Sequence, residues 1–426
     1  MARKYKNSGI EWIGRIPKEW KTARLKYIGN YINGYAFKPE DWSNKGMPII
    51  RIQDLTGSFA NPNYYNGSID KKYVIKSGDI LVSWAATLDA FIWQKEDGLL
   101  NQHIFKAYPV ANVDRMFFYW LIKVAMENMN NDNKHGIVMQ HVTTGVFGNF
   151  TVPLPSYSEQ QRIADYLDEK CGEIDSLISL QEQMIAQLKD YKQSVISEAV
   201  TKGLDPNAQL VSSGIDWIGD IPKGWKVARI KNVASLYGRI GFRGYTSDDL
   251  NKDGVGAITL SPSNMLSMKM DYTNVTYLSW EKYYESPEIM IQNGDLLMVK
   301  TGSSYGKVSY VDNLPREATI NPQILRIIPK IKSKYLGYYL QTQLFLYQVE
   351  GGVVGGTIPT IAQEKINNFK VILPSLDEQR AIAEYLDNKC AEIDALIALK
   401  HQKIETLKDY KKSLIYEAVT GKMEIV

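Results

Sequence analysis

The amino-acid sequence contains two copies of one framework. Residues 8–28, SGIEWIGRIPKEWKTARLKYI, match residues 213–233, SGIDWIGDIPKGWKVARIKNV, at about 14 of 21 positions. Residues 150–203 match residues 369–422 at about 33 of 54 positions. An internal repeat of this size indicates that each copy forms one structural unit. The chain is therefore predicted to fold as a pseudo-twofold repeat.

The segments between the repeated ends differ in sequence but share an order of landmarks. Residues 29–149 and 234–368 hardly resemble each other. Both nevertheless contain a Gly-Asp turn before an apolar strand, a strand that ends at a proline, and an aromatic helical stretch. We therefore expect two mixed α/β domains with a common fold. The aromatic side chains of residues 115–129 and 335–349 are expected in the cores, although a ligand platform is an alternative.

Composition limits the class of protein. The 426 residues carry a net charge of +3 and are 44% hydrophobic, which is ordinary for a globular chain. No stretch approaches the ~18–20 apolar residues of a membrane helix, so we expect a cytosolic protein with no membrane partner. The charge is too small for nucleic-acid binding by charge alone. Cys171 and Cys390 are equivalent in the two copies and are expected to be packing residues, not metal ligands.

Each copy ends in a segment that predicts a long helix. Ser375 with Glu378, and Ser156 or Ser158 with Glu159, are candidate helix starts. The first helix is predicted from Glu159 to about Val200, which is ~60 Å at 1.5 Å per residue. It should end at residues 202–203, and the second helix at Gly421.

Both predicted helices carry an apolar stripe at heptad spacing. The stripes are Ile174, Ile178, Ile185, Leu188 and Val195 in the first helix, and Ile393, Ile397, Ile404, Leu407 and Leu414 in the second. Polar residues interrupt them at Gln181, Lys192, Lys400 and Lys411. Further apolar residues widen each face, which favours a helix pair with other helices docked alongside. If the helices pair antiparallel, one domain lies at each end of a helical spacer.

The sequence resembles the specificity subunits of type I DNA restriction–modification systems over almost its whole length. The resemblance is carried by SGIEWIGRIPKEW with its second copy, and by LPS..EQ..IA.YLD…EID.LI…LKDYK.S.I.EAVTGK with its first; GDIL and GDLL support it. It implies that each variable segment is a target recognition domain for one half of a bipartite, asymmetric DNA site. It also implies that the two long antiparallel coiled-coil helices set the spacer between the half-sites.

The resemblance further implies an assembly. The expected fold class is mixed α+β, with target recognition domains at residues 1–154 and 205–373 and spacer helices at residues 155–204 and 374–426. Expected partners are double-stranded DNA, two methyltransferase subunits and two restriction/translocase subunits. The complex would be an adenine-specific DNA methyltransferase and ATP-dependent endonuclease. The chain itself would have no catalytic residue, metal or cofactor.

Base readout requires polar or basic side chains on projecting loops. The DNA-contact candidates are Ser83, Trp84, Thr87, Lys134, His135, Gln140 and His141 in the first copy, and Arg239, Arg243, Lys300, Thr301, Ser303, Ser304, Tyr305, Lys307, Thr357 and Thr360 in the second. Solvated turns are the alternative for these loops. The candidates for binding partner subunits are Ile174, Ile178, Met184, Ile185, Leu188, Ile393, Ile397, Ile404 and Leu407.

Two other classes of function stay open at this point. A coiled-coil assembly scaffold would explain the helices but not two divergent domains. A self-contained restriction or methylation enzyme would need an Asn/Asp-Pro-Pro-aromatic motif, a nucleotide-binding glycine turn or a nuclease motif. The sequence shows none of these in a fitting context.

Overall fold

The computed structural model describes residues 3–57, 62–132, 142, 144–251, 253–354 and 359–425. The chain forms two compact units. Unit 1 comprises Met1–Glu182 and His401–Val426, and unit 2 comprises Gln183–Lys400. Within the described ranges, no helix has the length and apolar character that a membrane span requires.

Unit 1 is built on two four-stranded sheets. Its strands are β1 (Tyr5–Asn7), β2 (Arg15–Pro17), β3 (Lys21–Arg24), β4 (Gly29–Asn33), β5 (Met47–Ile50), β6 (Tyr64–Tyr65), β7 (Val74–Ile75), β8 (Ile80–Ser83), β9 (Asp89–Ile92), β10 (Gly98–Leu100), β11 (Ile104–Pro109) and β12 (Thr151–Leu154). Its helices are α1 (Leu25–Ile28), α2 (Ile52–Leu55), α3 (Arg115–Asp132), α4 (Thr144–Asn149) and the first part of α5 (Tyr157–Lys202). The sheet orders are β4-β11-β8-β9 and β6-β5-β10-β7, and β3 pairs with β12.

Unit 2 repeats this plan. Its strands are β13 (Leu210–Ser212), β14 (Asp220–Pro222), β15 (Lys226–Arg229), β16 (Ala234–Gly238), β17 (Leu250–Asn251), β18 (Ala257–Leu260), β19 (Met265–Leu266), β20 (Lys269–Met270), β21 (Thr276–Leu278), β22 (Leu296–Val299), β23 (Val308–Tyr310), β24 (Ala318–Ile320), β25 (Ile324–Pro329), β26 (Val353–Val354), β27 (Thr360–Ile361) and β28 (Lys370–Leu373). Its helices are α6 (Ile230–Val233), α7 (Trp280–Tyr284), α8 (Ser333–Tyr339), α9 (Gln343–Gly352), α10 (Gln363–Asn368) and most of α11 (Leu376–Val419). The large sheets run β16-β25-β22-β23 and β17-β21-β18-β24.

One four-stranded sheet has the same topology in both variable domains, despite their different sequences. The order β4-β11-β8-β9 in unit 1 corresponds strand by strand to β16-β25-β22-β23 in unit 2, and all these pairs are antiparallel. Each second sheet contains one parallel pair, β5 with β10 and β18 with β24. The predicted internal repeat and mixed α+β class are therefore confirmed.

The aromatic stretches pack in the domain cores, as predicted. In unit 1, Phe117 and Phe118 of α3 are fully buried. In unit 2 the corresponding stretch forms two helices, α8 and α9, instead of one. The break falls at Thr342, whose hydroxyl accepts a hydrogen bond from the backbone nitrogen of Phe345 (3.3 Å). A threonine that caps a new helix in this way favours a restart over continuation.

Local chemistry fixes the limits of the long helices. Ser375 Oγ accepts a hydrogen bond from the Glu378 backbone nitrogen (3.3 Å), and Glu378 Oε2 accepts one from the Ser375 backbone nitrogen (3.0 Å). This reciprocal capping box starts α11. Gly203 and Gly421 follow the ends of α5 and α11 with φ of +80° and +70°, a conformation that glycine adopts without strain.

In each unit the two long helices run antiparallel. In unit 1, the start of α5 and the end of α11 both meet Trp20: Trp20 Nε1 donates to Glu159 (2.8 Å), and a Cβ on Gly421 would lie 2.9 Å from its ring. In unit 2, Trp225 Nε1 donates to Glu378 at the start of α11 (2.9 Å), and its ring lies 3.2 Å from the Cβ position of Gly203. The expected antiparallel pairing is thus present in both units.

Candidate nucleic-acid interface

In each unit, a buried strand, β8 in unit 1 and β22 in unit 2, leads into the loop that the sequence singles out. The Gly-Asp turn before β8 is closed by Asp79, which accepts a hydrogen bond from the Lys76 backbone nitrogen (2.7 Å) and pairs with Lys106 (2.6 Å). In unit 2, Asp295 pairs in the same way with Arg326 (2.7 Å). These ion pairs join neighbouring strands and hold the strand that carries each loop.

In unit 1, the loop after β8 exposes only part of the predicted set. Ser83 is fully buried, and its hydroxyl donates to the carbonyl oxygen of Ala85 (3.1 Å). Trp84 is half-buried and stacks on Phe105 with ring centroids 5.8 Å apart. Thr87 is exposed. Of these three predicted contacts, Thr87 has the most accessible side chain.

Two further segments of unit 1 meet this loop. The Trp84 backbone nitrogen donates to the carbonyl oxygen of His103 (3.1 Å). The carbonyl oxygen of Trp84 accepts a hydrogen bond from the Val142 backbone nitrogen (3.0 Å). Val142 follows the predicted polar patch of Lys134, His135, Gln140 and His141, which lies outside the described residues. The turn at residues 101–103 was not among the sequence candidates.

The corresponding loop of unit 2, after β22, is more polar. Ser303 and Lys307 are exposed, whereas Ser304 and Tyr305 are partly buried, and the Tyr305 ring packs on the core. Lys300 lies at the base of the loop, where burial lowers the pKa of its ammonium group. The exposed hydroxyl and ammonium groups of Ser303 and Lys307 are suited to hydrogen bonding and phosphate contact.

A second predicted segment of unit 2 joins this loop. The Ile361 backbone nitrogen donates to the Lys300 carbonyl oxygen (2.9 Å). Thr360 Oγ1 donates to Thr301 Oγ1 (3.3 Å), so two of the predicted side chains touch. Thr357 lies outside the described residues. The loop after β22 and the segment at β27, which are far apart in the sequence, therefore form one surface.

The turn between β24 and β25 completes this surface, and it was not among the DNA-contact candidates identified from the sequence. The Lys300 backbone nitrogen donates to the carbonyl oxygen of Gln323 (2.8 Å), and Gln323 is exposed. A signal was present, because Asn321-Pro-Gln-Ile corresponds to Asn101-Gln-His-Ile in the first copy. Only the structure shows that both turns lie beside the predicted loops.

Arg239 and Arg243 lie differently from the other candidates. The guanidinium of Arg239 is buried and donates to the carbonyl oxygen of Ile320 (3.1 Å) and to Thr319 Oγ1 (3.0 Å). Burial lowers the pKa of Arg239. Arg243 is partly buried and forms an ion pair with Glu288 (3.4 Å). In this structure Arg239 joins strands inside unit 2 and presents little surface to a ligand.

The apolar heptad stripes face inward. Ile174, Ile185, Ile393, Ile404 and Leu407 are buried. Ile178, Leu188 and Ile397 are half-buried. Of the predicted partner contacts, Met184 alone is exposed, because the stripes are used in packing within the units. The assignment of the stripes to partner contacts stays a prediction.

A different set of apolar residues on the long helices is exposed. We call this set the exposed row: Leu177, Leu180, Met184 and Tyr191 on α5, and Leu396, Leu399 and Tyr410 on α11. Intervals of three, four and seven residues in α5, and of three and eleven residues in α11, place each series along one side of its helix. A row of this kind is a candidate interaction surface.

Within the described parts of the chain, the two cysteines and the potential metal ligands form no recognisable reactive site. Cys171 and Cys390 are buried free cysteines, and burial raises the pKa of Cys171 to about 11. A thiol with so high a pKa is a poor nucleophile. Among the described side chains, no group of three or more His, Cys, Asp or Glu residues is placed to hold a metal ion.

Comparison with known proteins agrees with this architecture. The family described as "Type I restriction modification DNA specificity domain" matches residues 17–190 and 222–409. The chain is 24% identical over 420 residues to the type I restriction enzyme MjaVIII specificity subunit of Methanocaldococcus jannaschii, covering 96% of this chain and 94% of that protein. It is 25% identical over 428 residues to the EcoBI specificity subunit of Escherichia coli, covering 97% and 88%.

The fold is also found in a solved structure from work on complex assembly and conformational transition of the type I R-M system. The TM-score is 0.67 at 18% identity, covering 96% of this chain and 99% of that chain. The family match falls once on each copy of the repeat and covers most of both units. The chain belongs to the family of type I restriction–modification DNA specificity domains, of which it carries two copies.

Proposed function

We propose that each unit reads one half of a bipartite, asymmetric DNA site. The observation that carries this proposal is the surface found in both units, where three separate segments meet at the end of a buried strand. The framework of that surface repeats, but its side chains differ between the units. Different side chains on one framework are what two half-sites of different sequence require.

The low net charge of the chain supports recognition of DNA bases by loops. A net charge of +3 supplies few of the phosphate contacts that dominate non-specific DNA binding. Sequence-specific contacts would then come from exposed polar side chains such as Thr87 in unit 1 and Ser303 in unit 2, with Lys307 placed for a phosphate. Further phosphate contacts would come from partner subunits.

We propose that the long helices bind two methyltransferase subunits and set the spacer between the half-sites. The exposed row supports this assignment, because it lies on both long helices at repeated intervals. Two similar rows suit two copies of one partner. Two restriction/translocase subunits would complete the assembly, which would act as an adenine-specific DNA methyltransferase and ATP-dependent endonuclease.

In this proposal the chain recognises DNA and leaves catalysis to its partners. Residues 1–154 and 205–373 are assigned as target recognition domains, and residues 155–204 and 374–426 as spacer helices. The absence of methyltransferase and nuclease motifs from the sequence is consistent with this division of labour.

The test is to map methylation directed by this chain. The chain is expressed with its neighbouring methyltransferase in a host that lacks DNA methylation, and modified adenines are read by single-molecule sequencing. The expected result is a split motif with two specified halves around a fixed, unspecified gap. Purified chain alone, with S-adenosylmethionine and DNA, should transfer no methyl group.

Two results would contradict the proposal. Methylation at a continuous site would show that the two units do not recognise two separated half-sites. Methyl transfer by the chain alone would show that it carries its own active site.

A further inference from the structure

The turn between β24 and β25 holds one exposed amide side chain in a defined orientation. Asn321 is 9% exposed and contacts Gln323 twice. Asn321 Oδ1 accepts a hydrogen bond from the Gln323 backbone nitrogen (3.0 Å), and Asn321 Nδ2 donates to Gln323 Oε1 (3.2 Å). An exposed glutamine ordinarily loses rotamer freedom when it binds a ligand. Here a buried neighbour has already restricted that freedom, which lowers the cost of binding.

The other side of this amide faces the loop after β22. Gln323 Nε2 lies 3.4 Å from the position that a Cβ would take on Gly302, whose φ is +104°. The Lys300 backbone nitrogen anchors the Gln323 carbonyl oxygen at 2.8 Å. Gln323 therefore stands within the shared surface of unit 2, next to the segment that carries Ser303.

The two copies of the repeat share the asparagine of this turn but differ at the position of Gln323. Asn101 corresponds to Asn321, and Asn101 Oδ1 likewise accepts a hydrogen bond from a backbone nitrogen of its turn, that of Gln102 (2.9 Å). The residue that corresponds to Gln323 is His103. The asparagine is the same in both turns, whereas the side chain two residues later differs. This pattern is expected where one turn structure holds side chains that contact different bases.

We propose that Gln323 reads one base pair of the half-site bound by unit 2, and that Asn321 is its positioning residue. This inference rests on the proposed function. A carboxamide pairs with adenine in the major groove by accepting from N6–H and donating to N7. Gln323 Oε1 can accept from adenine and Asn321 together, because an amide oxygen has two lone pairs. The base pair read by Gln323 is therefore A·T.

The test compares methylation motifs of complexes that contain the wild-type chain, Gln323→Ala or Gln341→Ala. In Gln323→Ala, one specified A·T position of a single half-site should become relaxed. The preference for A·T over the other base pairs at that position should fall roughly 5- to 150-fold, which is the contribution of one bidentate contact. All positions of the other half-site should stay specified.

Gln341→Ala is the matched control in the same unit. Its amide donates to the carbonyl oxygen of Gly337 (3.2 Å) and accepts from Ser267 (2.5 Å), so its contacts lie on other elements than the turn. This variant should keep the wild-type motif. Asn321→Asp retains the oxygen that accepts from the Gln323 backbone but loses the donor to Oε1. It should therefore relax the same position as Gln323→Ala, by a smaller factor.

The outcomes separate this inference from the proposed function. A split motif in the wild type together with an unchanged motif in Gln323→Ala would overturn the role of Gln323 alone. Relaxation of both half-sites in Gln323→Ala would also overturn it, because the effect would then be general. A wild-type complex without a split motif would refute the proposed function itself.

Discussion

At the residue scale, two repeated tryptophans explain why the motif WIG..P..W occurs twice. Trp20 and Trp225 are buried, and each donates its indole N–H to a glutamate in the first turn of a long helix. The same rings contact the glycine that ends the other long helix. Each motif therefore joins the start of one helix and the end of the other to its own domain. These contacts give both tryptophans a structural role.

The hydrogen bond of Trp20 should contribute measurably to stability. Trp20→Phe removes the N–H and leaves one oxygen of the buried carboxylate of Glu159 without its donor. A hydrogen bond to a charged group is worth about 1.5–3 kcal/mol, so the free energy of unfolding should fall by about that amount in urea denaturation. Trp42→Phe is the control, because Trp42 is 46% exposed. Equal stabilities of the two variants would show that the indole bond to Glu159 is unimportant.

Residue type alone did not determine which way candidate side chains face. Ser83 and Arg239 have the chemistry of base-contacting residues, yet both are buried and bonded within their domains. Strand alternation and tertiary packing decide this, and neither is encoded in a short motif. Gln323 was overlooked for the converse reason. Its turn contacts the loop after β22 directly, but only because β22 pairs with β25 in the sheet, and this pairing joins residues far apart in the sequence.

At the element scale, the limits of the long helices followed from sequence because their causes are local. The capping box at Ser375 and the glycine at position 203 act within one turn. The heptad pattern likewise identified the buried stripe. It also indicated further apolar residues, among them Leu177, Met184, Tyr191, Leu396 and Tyr410, as a wider face for docked helices, and these five belong to the exposed row. The sequence did not show that packing covers the stripe and leaves these residues accessible.

The lysines that interrupt the heptad stripes have a defined role. Lys192 Nζ binds both carboxylate oxygens of Asp394 (2.7 and 2.8 Å) in unit 2. Lys411 Nζ binds both oxygens of Asp175 (2.6 Å each) in unit 1. Each pair joins the LKDYK motif of one copy to the EID motif of the other. A charged residue at a stripe position, with one partner on the facing helix, favours one axial register.

A double-mutant cycle should detect the bridge in unit 2. Lys192→Asp and Asp394→Lys should each lower stability, and the double variant should recover part of the loss. The coupling should be about 0.2–1 kcal/mol, because the aspartate is 48% exposed, and it should decrease in high salt. Thermal and urea denaturation at two salt concentrations provide the measurement.

The control is a pair within α5, Lys170 and Glu173, at 3.0 Å. Both ion-pair partners of Lys170, Glu169 and Glu173, lie on α5 itself, so its reversal changes the same types of charge within one helix. If its coupling equals that of Lys192 with Asp394, the bridge between helices has no special effect on the pairing.

At the scale of the whole molecule, the repeat was the most informative signal. It predicted a common fold for two segments without visible similarity, and the matching strand order of one four-stranded sheet in each unit confirms that prediction. The assignment of half-sites to units remains a proposal. It predicts that exchanging residues 29–149 for the corresponding segment of another family member changes one half of the methylation motif and leaves the other half and the gap unchanged. A change in both halves would contradict independent reading.

The proposed spacer role predicts that helix length controls the gap. Four residues inserted after Gln181, with four more at the equivalent Lys400, extend both helices by about one turn, or ~6 Å. Base pairs stack at ~3.4 Å, so the gap between half-sites should lengthen by at most about two base pairs while both halves keep their sequences. Methylation mapping of the insertion variant measures the gap directly. Substituting four residues at the same places, without insertion, controls for local disturbance of the helices. A gap that stays the same in an active insertion variant would mean that something other than helix length, such as the partner subunits, fixes the distance between the two readers.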